Sequence, residues 1–163
     1  MDSDALNLNV HNSIHAINRA DWNKLAGTEN PFIQYNFLSA LEDGGAVGGT
    51  SGWHIAHLAL CDTSNKVVGV APHYLKQHSF GEYIFDHNWA NAFERAGGAY
   101  YPKSLSAVPF TPATGPRLLV TKGDAAQKAA MARGLASLAK QNRLSSSHIN
   151  FLPAEDAELL AEA

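Results

Sequence analysis

Three features of the sequence predict an α/β fold of the α+β kind, a mixed central sheet flanked by helices. The first is a pair of alternating runs, Trp53–Cys61 and Val67–Leu75, joined by Asp62-Thr-Ser-Asn-Lys66, which has the composition of a turn. The second is a helix over Asp124–Asn142, striped with Ala125, Ala129, Ala132, Ala136 and Ala139. The third is the strand and helix that follow it, Ser147–Leu152 and Ala154–Ala163, with Pro153 between them. Helix, strand and helix in series belong to a sheet with covered faces, and the last helix asks for a further strand.

Residues 1–12 are polar and are expected to be frayed, which leaves residues 13–163 as one domain. Ser13–Ile17 alternates as a short strand would. Asp21–Leu25 is a brief helix stopped by Gly27, and Pro31 opens a second one with Phe37, Leu38 and Leu41 at helical spacing. Five glycines between Gly44 and Gly52 end it in a loop. In the hairpin, Trp53, Ile55, His57, Ala59 and Cys61 share one face, and Pro72 marks an edge or a bulge in the returning strand. Asn88–Ala96 is the next helix. Gly98–Val120 then holds four of the seven prolines, Pro102, Pro109, Pro112 and Pro116, and cannot be a long central strand. It is expected to be a kinked ribbon that ends in a short strand, Arg117–Val120. Asp124 caps the long helix with Gln127 as its capping-box partner, and Gly134 costs about 1 kcal/mol of helix propensity there. In the last helix Leu159 and Leu160 face inward and the four acidic residues outward.

Composition narrows the function. A net charge of −3 gives no basic footprint for DNA. The lone Cys61 makes no internal disulfide and fits a reducing, cytoplasmic setting. The amino terminus does not read as a signal peptide, and no apolar run is long enough to span a membrane.

The ionisable groups gather between His78 and Gly97. Were that block helical, His78, Glu82 and Asp86 would stack on one face, able to hold a metal or to pass a proton. Gly81 argues against such a helix, and no metal is assigned. His54 and His57 alternate to opposite faces of their strand, which removes them as a ligand pair. Glu82 and Asp86 remain the candidate acid/base pair, against the alternative of a solvated surface.

Four runs carry a resemblance: Gly81-Glu-Tyr-Ile-Phe-Asp86, Trp89-Ala-Asn-Ala-Phe-Glu-Arg95, Tyr100-Tyr-Pro-Lys103 and Val108-Pro-Phe-Thr-Pro-Ala-Thr-Gly-Pro-Arg117. They resemble the FemAB-like family of predicted N-acyltransferases, of the peptidoglycan biosynthesis/recognition type, within the GNAT superfamily. The likeness runs from about Ser13 to Ala163. Family members continue further, so the resemblance covers the first half of a longer architecture and implies a C-terminal half as partner.

The resemblance implies a GNAT-like fold and transfer of an acyl or aminoacyl group to an amine, from acyl-CoA or an aminoacyl-tRNA, with a small molecule or cell-wall precursor as acceptor. On this expectation Glu82 or Asp86 assists deprotonation of the amine. Tyr101, Lys103, Thr111, Thr114 and Arg117 line the cleft, and Lys122 and Gly123 meet the donor. A salt bridge from Arg117 to Glu94, and core packing of Tyr100 and Tyr101, are the structural alternatives. Where GNAT enzymes carry Arg/Gln-x-x-Gly-x-Gly/Ala, this chain has Val120-Thr-Lys-Gly-Asp-Ala125, with valine first and a carboxylate at Asp124. The kinked ribbon and the alanine-striped helix are expected to form two walls of the donor slot. A second reading stays open, a truncated, non-catalytic GNAT-like binding domain that dimerises through an exposed sheet edge.

Overall fold

The computed structural model of the protein describes residues 6–161. In chain order the elements are β1 (Asn7–His11), α1 (Arg19–Ala26), α2 (Tyr35–Asp43), β2 (Trp53–Ile55), β3 (His57–Cys61), β4 (Val67–Ala71), β5 (His73–Lys76), α3 (His87–Arg95), β6 (Lys103–Ser106), β7 (Leu119–Val120), α4 (Ala125–Gln141), β8 (Ser147–Ile149) and α5 (Ala154–Ala161). Short 3₁₀ turns at Ile14–Ala16 and Pro31–Ile33 precede α1 and α2. The fold is mixed α+β with two four-stranded sheets, compatible with an acyltransferase-like layout.

One hairpin builds both sheets. Its two arms each break once, at Ala56 and at Pro72, so β3 and β4 belong to the antiparallel sheet β1-β3-β4-β7. The other halves, β2 and β5, belong to β2-β5-β6-β8, where β6 and β8 run parallel. Pro72 has no N–H to give to a ladder. It therefore sits at the seam, where Ala56 N donates to His73 O at 2.9 Å.

Alternation along the strands sorts the core. Ala59, Val70 and Leu119 face α1 and α2, packing on Trp22, Ile33 and Leu38. Leu58, Leu60, Ala71, Leu118 and Val120 face α4 through Met131 and Leu135. Trp53, Tyr74 and Leu105 make a separate cluster on the second sheet. Helix starts follow their caps: Asn18 Oδ1 accepts from Ala20 N and Asp21 N at the head of α1, and Asp124 from Gln127 N at the head of α4.

Several expectations fail for physical reasons. The stretch expected to fray contains β1, an edge strand paired with β3; residues 1–5 and 162–163 lie outside the described residues. Its Leu8 occupies the space a side chain at Gly134 would fill, since a Cβ there would lie 2.5 Å from Leu8 Cδ2. Ser13–Ile17 is a 3₁₀ turn and not a strand, because Ser13 Oγ and Ile14 N both donate to Glu42. The proline-rich ribbon is no long central strand, but it holds a short one that was not expected, the four-residue β6, which Pro102 and Pro109 flank without entering. Only Leu119–Val120 of the expected Arg117–Val120 strand pairs. In α5, Asp156 is buried against Lys128, not turned outward.

Candidate functional site

The expected helical stack of His78, Glu82 and Asp86 does not form, because α3 begins only at His87. Gly81, Tyr83 and Phe85 all take positive φ, of 80°, 60° and 58°, and curl the chain instead. Gly81 is required twice over, since a Cβ there would also meet the Phe110 ring at 2.5 Å. This curl still brings Glu82 and Asp86 together, around Lys103 of β6.

Lys103 and Lys76 lie directly opposite one another on β6 and β5, and both are buried. Like charges so placed repel. Glu82 lies between them, with Oε2 2.9 Å from Lys103 Nζ and Oε1 3.9 Å from Lys76 Nζ. Lys103 Nζ donates further to Asp86 Oδ2 at 2.7 Å and to Ser79 Oγ at 2.9 Å. Tyr100 OH donates to the same Asp86 oxygen at 2.7 Å, and Ser79 Oγ shares a hydrogen bond with Tyr101 OH at 2.7 Å. Lys76 Nζ donates to Phe80 O and rests 3.5 Å above the Trp53 ring.

Environment separates the two carboxylates. Burial drives Glu82 upward more strongly than its lysines pull it down. Burial also acts to raise Asp86, but the hydrogen bonds from Lys103, Ser79 and Tyr100 win and hold it at about 2. Asp86 is thus a fixed negative charge, and Glu82 is the better proton acceptor. Burial opposes the charge on Lys103, which its bonds to Asp86 and Glu82 more than restore, whereas burial leaves Lys76 depressed. Glu82 Oε1 and Asp86 Oδ1 have no hydrogen-bond partner among the described residues.

The remaining site candidates lie elsewhere. Lys122 and Gly123 border a cleft of about 530 Å³ between the end of α1 and the β7–α4 turn, together with Lys24, Glu29, Leu119 and Lys128. The end of the ribbon, Pro116, Leu118, Leu119 and Val120, and Lys128 of α4 line one side of it, and Lys24 to Glu29 form the other. The sequence offered no sign of Lys24, which only the packing of α1 beside β7 brings there. The turn has largely used its own polar groups. Asp124 Oδ1 takes Gln127 N, and Gln127 Oε1 takes Thr121 N, so no capping box closes back on Asp124 N. Lys128 is committed to Asp156.

Arg117 is fully buried, and its guanidinium donates to the carbonyls of Gly115, Pro116 and Ala113, at 2.9, 3.2 and 2.6 Å. It neither faces the cleft nor pairs with Glu94; it staples its own loop, and burial pushes it down to about 10. Thr111 donates to Pro109 O, and Thr114 is exposed.

A second buried pair was not anticipated. His57 Nε2 bonds Glu42 Oε1 at 2.9 Å, and His57 Nδ1 accepts from His73 N at the sheet seam. Burial lowers both imidazoles, His73 to about 3, so they are neutral structural groups at physiological pH.

No helix among the described residues is long and apolar enough to cross a membrane. No curated protein and no solved structure gives a significant match to the chain. A family model described as peptidoglycan biosynthesis/recognition matches residues 13–163, nearly the whole sequence. The chain belongs to the FemAB-like family.

Proposed function

We propose that the chain is the donor-side part of an N-acyltransferase that moves an acyl or aminoacyl group onto an amine of a cell-wall precursor. In that reaction the amine nitrogen forms a bond to the donor carbonyl carbon, and the ester or thioester bond breaks. The amine loses one proton, and the leaving group takes one up. The observation that carries the reading is the cleft at the β7–α4 turn, where Lys24 and Lys122 offer two cations to a phosphate-bearing donor. The amides of Thr121, Asp124, Ala125 and Gln127 already donate within the turn, so only part of a helix-terminal pyrophosphate cradle is left. This supports an aminoacyl donor over acetyl-CoA.

A panel of acetyl-CoA, longer acyl-CoAs and a non-hydrolysable aminoacyl-tRNA analogue tests it by thermal shift. The aminoacyl analogue at 100 times its Kd is expected to add about 2.7 kcal/mol. Lys24→Ala and Lys122→Ala should each weaken it by at least about tenfold, the value of one charge-assisted contact. Absence of a shift with every acyl and aminoacyl donor overturns the proposal. The non-catalytic reading draws on one observation, that Glu82 and Lys103 are spent on each other in a buried cluster. Donor binding without transfer to any amine would favour it.

A further inference from the structure

Helix α3 is poorly covered by its own chain. Of its nine residues only Ala90 is buried, and the rest are exposed. A nine-residue helix has little stability by itself. Its surroundings are apolar: Phe85 is 78% exposed, Trp89 69% and Phe80 67%, with Tyr83, Ile84, Phe93 and Phe110 each near half. Three of these rings sit on backbone in the left-handed region, Tyr83, Phe85 and Phe110. At 150–250 Å² for each aromatic side chain, this face exposes roughly 700 Å². That exceeds the usual largest apolar patch of a monomer, about 300–600 Å². It approaches the roughly 800 Å² that each partner of a stable complex contributes.

We infer that this face docks a second copy of the chain, α3 packed antiparallel on α3 about a twofold axis. Trp89, Ala92 and Phe93 line a depression of about 210 Å³. Phe85, the most exposed ring, stands just before the start of α3. An antiparallel pair brings that ring beside the depression near the other helix's C-terminal end, twice over, as an isologous interface requires. In the antiparallel arrangement the helix dipoles align favourably. A lipid surface fits less well, because the chain carries a net charge of −3 and the patch has no rim of lysines.

Sedimentation velocity over a concentration series tests the interface, with far-UV circular dichroism as the folding control. The wild-type chain should dimerise. Phe85→Ser and Trp89→Ser, both at exposed positions, should each raise the dimer dissociation constant by at least about tenfold while the spectrum is unchanged. The double variant Phe85→Cys/Ala92→Cys should cross-link copies on mild oxidation, position 85 of each copy to position 92 of the other, while the buried Cys61 of the wild type should not. A monomer at every concentration overturns the inference. So does a dimer that both serine variants leave intact, or a monomer that floats with phosphatidylcholine vesicles through Trp89.

Discussion

Lys103 joins a strand to a loop through charge. Its ammonium meets two carboxylates and a serine, so removing it leaves the buried Glu82 and the half-buried Asp86 with too little positive charge. Breaking a buried pair from one side costs about 3–5 kcal/mol, and Lys103→Met should lose that much at neutral pH. The loss should depend on pH in a defined direction. Glu82 already has its carboxyl raised by burial, and without Lys103 it rises further. A carboxyl whose folded value lies above its unfolded one destabilises the fold once ionised, and the penalty fades as pH falls through the folded value. Urea melts at pH 7 and pH 4 should therefore show the gap between variant and wild type narrowing on acidification. A gap that widens would mean that Lys103 is not what neutralises Glu82.

Elements show where pattern suffices and where it does not. The hairpin, α1, α2 and α4 are legible because turn residues and apolar spacing agree, with Gly27 ending α1 and Asp124 capping α4. Strand β1 is not legible: Asn7, Asn9 and His11 make it polar, Val10 is exposed, and Leu8 gains meaning only from α4 above it. Strand β6 hides among prolines that lie just outside it. The candidate site was legible as residues but not as geometry. Glu82, Asp86, Lys103 and Tyr101 converge by a curl at Gly81, Tyr83 and Phe85 that no helical spacing describes, while Arg117 turns back on its own loop. The β1–α4 contact can be tested as a pair. Gly134→Leu should displace Leu8 and cost about 1–3 kcal/mol by overpacking. Adding Leu8→Ala should return part of that loss, with a coupling energy of at least about 0.5 kcal/mol in the double-mutant cycle. Additive effects would show that Leu8 does not rest in the Gly134 notch.

At the scale of the molecule the question is whether two sheets with partly separate cores behave as one unit. Trp22 is buried in the cluster between α1, α2 and the first sheet, whereas Trp53 is buried in the cluster of the second. Both hairpin arms pass through the seam without leaving their partner, and Ala56 N–His73 O with His73 N–His57 Nδ1 stitch it. His57 also packs edge-on against Trp22 and Tyr74, one from each core. Any opening of one sheet would thus strip the other of a buried imidazole and its backbone partners, which couples their unfolding. The three tryptophans allow a direct test, because Trp89 lies on the surface and can be removed without touching either core. In Trp53→Phe/Trp89→Phe, fluorescence reports the first sheet; in Trp22→Phe/Trp89→Phe, it reports the second. Within each variant the urea midpoint by fluorescence should coincide with that by far-UV circular dichroism, as one cooperative transition requires. A Trp53 signal that melts ahead of the dichroism would divide the molecule at Ala56 and Pro72. The buried Glu82–Lys103 cluster would then sit on a separately opening half, able to expose its carboxylates without unfolding the rest.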